Sequence, residues 1–104
     1  MDALQEARIS LDSISPCIRE ISRRYPISVS GVFGSVARGT NEPESDVDVF
    51  AQFDEGHTFL DEERFREEIS QATGADVDLV TTLAGATRSF KESLIKDMVV
   101  LYER

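Results

Sequence analysis

Gly34-Ser35-Val36-Ala37-Arg38-Gly39 and, a short loop later, Ser45-Asp46-Val47-Asp48-Val49 are the two stretches on which the reading of this chain turns. The first follows Ile27–Phe33, a run rich in β-branched and aromatic residues that predicts a strand. A glycine leaving a strand lets the chain turn sharply and lets backbone come close to a ligand. Ser35 follows where a helix could begin, so its hydroxyl and the free N–H groups around it would face an anion such as a phosphate. Arg38–Ser45 is dense in turn residues and reads as a loop. The ten residues between Ser35 and Asp46 are enough to bring a second strand back beside the first.

That second strand is predicted over Val47–Phe53. Val47, Val49, Ala51 and Phe53 fall on one face, and Asp48, Phe50 and Gln52 on the other. Asp46 and Asp48 share a parity, so both carboxylates point the same way. Two carboxylates this close repel, and without a counter-charge one of them tends to take a proton. A divalent cation resolves the conflict, and magnesium prefers a few carboxylates, several waters and phosphate oxygens. A third carboxylate from a neighbouring strand would allow a second ion. Asp78, in Val77–Thr81, is placed to supply it. Asp76 has the same parity and is a rival, nearer the strand entrance.

The rest of the chain reads as helices flanking these strands. Residues 2–12 predict a short helix. Ser15-Pro16 predicts the start of the next, with Ile14, Ile18, Ile21 and Tyr25 at helical spacing as far as Pro26. Phe59–Gln71 predicts an amphipathic helix, with Thr58 as cap, acids in its first turn and Gly74 as stop. A last helix over residues 86–97 and a strand over Met98–Tyr102 close an α/β (α+β) arrangement with a small mixed sheet and helices packed on it. The length of 104 residues predicts a single domain over 1–104, burying roughly two-thirds of its unfolded surface.

Composition limits the partners. Hydrophobic residues make up 40% of the chain and charged residues 30%, ordinary for a globular protein. No apolar run approaches the ~20 residues of a membrane span. The opening MDALQEARIS lacks the basic and apolar regions of a secretory signal. A cytoplasmic protein with no membrane partner is the expectation. Its one cysteine, Cys17, cannot form an internal disulfide and reads as a half-buried helix residue. The net charge is −9, from 20 acids and 11 bases, of which only Lys91 and Lys96 are lysines. Such a balance argues against long DNA or RNA, which needs a basic footprint. A metal-bridged triphosphate is different, because the cation carries the positive charge. The acid run Asp61-Glu62-Glu63 with Glu67 and Glu68 reads as a solvated helix face, the alternative being a docking face for a basic partner. His57, the one histidine, sits in the polar turn Asp54-Glu55-Gly56-His57, and nothing there orients it toward the carboxylates.

Taken together, Gly34-Ser35, the ten-residue gap and Asp46-x-Asp48 resemble the hallmark of the polymerase-β-type nucleotidyltransferase superfamily. The longer strings GSVARG and SDVDVF, the later VDLVT and the closing MVVLYE are similar to the minimal nucleotidyltransferases of prokaryotes, the MNT proteins. The resemblance runs from about residue 14 to the end, and it implies the nucleotidyltransferase fold. It also implies that Asp46, Asp48 and Asp78 are catalytic and bind magnesium, one ion or two, and that Asp78 helps deprotonate the attacking hydroxyl. Gly34 and Ser35 would hold the triphosphate of ATP, and Arg38 would contact phosphate or a partner protein. Many such proteins are antitoxins that bind a HEPN-domain ribonuclease toxin and transfer AMP from ATP to a tyrosine on it. Two other readings stand beside this one: an antitoxin that neutralises its toxin by covering it, and nucleotidyl transfer to a small molecule. The residues leave open the acceptor, the nucleotide base, and whether the assembly is a homo- or hetero-oligomer.

Overall fold

The computed structural model describes residues 8–104. Its elements are α1 (Leu11–Ser22), β1 (Ile27–Phe33), α2 (Gly34–Arg38), β2 (Val47–Phe53), α3 (Phe59–Thr73), β3 (Val77–Val80), α4 (Arg88–Asp97) and β4 (Val99–Glu103). The strands form one mixed sheet in the order β3-β2-β1-β4. β1 runs antiparallel to both β2 and β4, and β2 pairs with β3 in parallel. A parallel pair needs a crossover, which α3 provides. No helix among the described residues is long and apolar enough to cross a membrane.

The start of α1 differs from the sequence expectation. Ser10 caps the helix, its hydroxyl accepting from the Ser13 N–H at 3.2 Å. Ser15 lies inside the helix, where its hydroxyl donates back to the Leu11 carbonyl at 2.7 Å. Pro16 is likewise interior, removing one helical N–H. The helix persists because Ile14, Ile18 and Ile21 are buried on one stripe, and burying each such side chain contributes about 1.5–3 kcal/mol. Of the helix expected over 2–12, residues 2–7 lie outside the described residues. Residues 8–10 are not helical, and Leu11 and Asp12 belong to α1.

α1 and α3 cover one face of the sheet. Ile18, Ile21, Ile27, Val32, Val47, Val49, Ala51, Phe65 and Ile69 form the centre of that core. Phe65 sits edge-on to both Tyr25 and Phe53, with ring centroids 5.5 and 5.7 Å away. The helix that carries it has the expected Thr58 cap and Gly74 stop; the cap is a full capping box with Asp61, and Gly74 is left-handed. Cys17 is half-buried on α1. The opposite face of the sheet, which presents Asp48, Phe50 and Gln52 from β2, is covered only in part.

Ser22 of α1 and Ser30 of β1 are fully buried and hydrogen-bonded to each other at 2.7 Å. Among the described residues, no buried side-chain N or O atom lacks a partner. Ser22→Ala is therefore expected to cost about 1–3 kcal/mol by orphaning the Ser30 hydroxyl, whereas the double alanine variant is near neutral. Urea melts of Ser22→Ala, Ser30→Ala and the double variant measure the non-additivity directly.

Candidate active site

β1 ends at Phe33, buried and fully extended, with φ −134° and ψ −174°. Gly34 then takes φ +74°, a left-handed conformation that turns the chain at once into the five-residue α2. A β-carbon at Gly34 would overlap Oδ2 of Asp48, so this position is glycine for two independent reasons. Buried Val36 anchors α2 to the sheet. The helix closes on left-handed Gly39, whose N–H bonds the Ser35 and Val36 carbonyls. The loop beyond is pinned by buried Asn41, whose amide donates to the Ile9 carbonyl at 2.8 Å, and by the Ser45 hydroxyl accepting from the Glu42 N–H. It delivers Val47 to the ladder, where the Val47 N–H bonds the Asp76 carbonyl at 2.9 Å.

Register decides which carboxylates meet. Asp48 is opposite Phe33 on one side and opposite Asp78 on the other. Strands lie about 4.8 Å apart and paired residues share a face, so Asp48 and Asp78 are side by side on the partly covered face. Asp46 lies just before β2 with the parity of Asp48, at the same level as Asp76, which the register sets one step of the pleat away from Asp48. Asp46 and Asp78 are exposed, and Asp48 is half-buried. Burial first, then the charges of Asp78 and Asp46, push the Asp48 carboxyl above the usual carboxylate range, and the charge of Arg38 works against them. The Ser35 hydroxyl has no protein partner among the described residues.

This donor set suits a divalent cation. It consists of hard carboxylate oxygens, one of them held in its charged form only against burial and like charge. Among the described residues, no three such groups already converge as a formed metal site. What the backbone fixes is the Asp48–Asp78 pair.

Four other residues take roles the sequence did not foresee. Arg38 is the last residue of α2 rather than part of the loop, and its Nη1 donates to Asp97 Oδ2 at 2.5 Å. Asp97 and Phe90, the latter edge-on to Phe33 with centroids 6.1 Å apart, bring α4 against the site. An acid at a helix C-terminus, where the dipole disfavours it, was the signal available for Asp97. His57 stacks on Phe53 and bonds Glu62 at 2.7 Å, at the far end of β2 from Asp48. The acids of α3 are largely engaged within the molecule: Asp61 in the cap, Glu62 on His57, Glu63 on Arg66, and Glu68 on Tyr25 and Arg24.

Residues 17–104 match the family described as Polymerase beta, Nucleotidyltransferase. The protein adenylyltransferase MntA of Thermococcus cleftensis is 32% identical over 78 residues, covering 71% of this chain and 79% of the relative. A solved chain described as a candidate minimal nucleotidyltransferase superposes with a TM-score of 0.72 at 28% identity, over 88% of this chain and 95% of that one. A chain of the complex between MNT antitoxin and the tri-AMPylated HEPN toxin of Shewanella oneidensis shares the fold, with a TM-score of 0.65 at 17% identity over 90% of this chain and 73% of the other. A glycine-led turn facing paired strand carboxylates, in a chain matched over nearly its whole length, has one consistent explanation: this protein belongs to the polymerase-β nucleotidyltransferase family.

Proposed function

We propose that this chain transfers AMP from ATP to a tyrosine hydroxyl of a HEPN-domain toxin and so acts as that toxin's antitoxin. The observation that carries the proposal is the Asp48–Asp78 register beside Gly34, a pair of carboxylates, one half-buried and one exposed, on the partly covered sheet face. The names of the relatives support the chemistry: MntA is a protein adenylyltransferase, and the solved antitoxin complex contains an AMPylated toxin.

Asp46, Asp48 and Asp78 would hold magnesium, one ion or two. Bound magnesium would supply charge stabilisation at the phosphoryl oxygens and a lowered pKa for the attacking hydroxyl. The chain's own residues do the rest. The Gly34–Ser35 backbone and the Ser35 hydroxyl cradle the triphosphate, and Arg38 adds positive charge for the phosphates of the bound nucleotide. Exposed Asp78 takes the proton of the acceptor hydroxyl as its oxygen bonds the α-phosphorus. The bond from that phosphorus to the bridging oxygen breaks, and pyrophosphate leaves. Rate comes from positioning and charge, with no covalent enzyme intermediate. The domain works as a single catalytic unit, and the cytoplasm, which holds both ATP and RNA, is the compartment that fits.

The test is incubation with magnesium, the HEPN partner and ATP labelled at either the α- or the γ-phosphorus. The α-label is expected on a partner tyrosine and the γ-label only in pyrophosphate. Absence of α-label on the partner, with toxin activity still suppressed, would replace this reading with neutralisation by binding alone.

A further inference from the structure

α4 is lightly anchored. Of its ten residues only Leu94 is buried, and most of the others face solvent. Its final residue, Asp97, is nevertheless a carboxylate 10% exposed, at the end of the helix where unpaired carbonyls already concentrate negative charge. A largely buried acid in that position is unfavourable without a counter-charge, and Arg38 supplies one.

The geometry of the Arg38 side matters more. Arg38 ends α2, which begins at Gly34, so its stem starts one helical turn from the glycine beside Asp48. Its side chain is 48% exposed, and only Nη1 is engaged by Asp97. Among the described residues, Nε and Nη2 donate to nothing. A guanidinium carries five donors in a rigid fork. Here one corner is fixed and the remaining donors are left for a second anion.

We propose that Asp97 is a positioning residue, holding the Arg38 guanidinium so that its free donors meet the phosphates of the bound nucleotide. This rests on the nucleotidyltransferase reading above. Asp97 does not touch the nucleotide. It acts by removing rotamers from a long side chain that would otherwise be ordered at the moment of binding.

The experiment is a double-mutant cycle on Asp97→Asn and Arg38→Met, with Asp97→Glu as the conservative variant. ATP affinity is read by titration calorimetry, and KM and kcat by transfer to the partner. Asp97→Asn is expected to weaken ATP binding and raise its KM about tenfold, the effect of one well-placed charge-assisted hydrogen bond, with kcat changed less than about twofold. Asp97→Glu is expected to recover part of that loss. In the Arg38→Met background Asp97→Asn is expected to change nothing further. Additive losses in the cycle would overturn the proposal, as would unchanged or tighter ATP binding in Asp97→Asn, because removing a negative charge without losing an oriented arginine favours an anion. If wild type binds ATP but transfers nothing, the proposed reaction fails while the binding cycle still decides the role of Asp97. If it binds no ATP, both fail.

Discussion

Asp48→Asn is expected to reduce nucleotidyl transfer at least about a thousandfold while leaving the metal-free protein no less stable than wild type at neutral pH. The two halves have one cause. Asp48 is half-buried, in register with Asp78 and two residues from Asp46, and its carboxyl is raised by burial and then by those two charges. A carboxyl raised in the folded state binds its proton more tightly there than in the unfolded chain. Its contribution to stability is therefore present below the ordinary carboxylate pKa and is lost as pH rises through the folded-state value. At neutral pH the charged group is a burden to the metal-free fold. Asparagine keeps the shape and drops the charge. The stability difference between variant and wild type should thus move in the variant's favour from acid to neutral pH, read by thermal melts at both. Magnesium should raise the melting temperature of wild type and leave that of the variant nearly unchanged. Retained transfer in the variant, or a large fall in its melting temperature, would remove Asp48 from the centre of the site.

How much of this is legible in the sequence follows from how local each signal is. β1 and β2 have the predicted bounds: a run of β-branched and aromatic residues closed by Gly34 marks β1, and alternation of buried and polar residues marks β2. α3 begins where Thr58 and the acids of its first turn predict. It runs two residues past Gln71, as far as Thr73, since a helix end is fixed by its cap, here left-handed Gly74, rather than by periodicity. The parity of Asp46 and Asp48 is visible for the same reason as the strand. The step that sets Asp78, and not Asp76, opposite Asp48 is register, which is a property of two strands joined by a helix. The start of α1 is ambiguous in sequence because Ser10 and Ser15 are equally good caps in isolation. The choice between them is made by the burial of Ile14 against the core. α2 is too short for any period to show. The Arg38–Asp97 pair joins residues far apart in the chain, and no local pattern reports such a contact.

Gly34→Ala is expected to abolish transfer, and Gly39→Ala is the control that says why. Both glycines are left-handed, with φ of +74° and +76°, so alanine at either position carries a similar backbone penalty of about 1–2 kcal/mol. Their surroundings differ. Nothing lies within 4 Å of a β-carbon at Gly39, whereas at Gly34 the new methyl would occupy the place of Asp48 Oδ2. The Asp48 carboxylate must then rotate away or β1 and β2 must part, and either displaces the group that the proposed transfer uses. A shift of about 1 Å in a catalytic group costs on the order of a hundredfold, and a forced rotation of the carboxylate costs more. Both variants should therefore melt below wild type, Gly34→Ala no higher than Gly39→Ala, and they should differ in transfer by at least about a hundredfold. Equal activities at matched stability would mean that Gly34 is needed only for its turn and that Asp48 has room to spare. A large activity difference assigns the glycine its second task, which is to leave space for the carboxylate opposite Asp78.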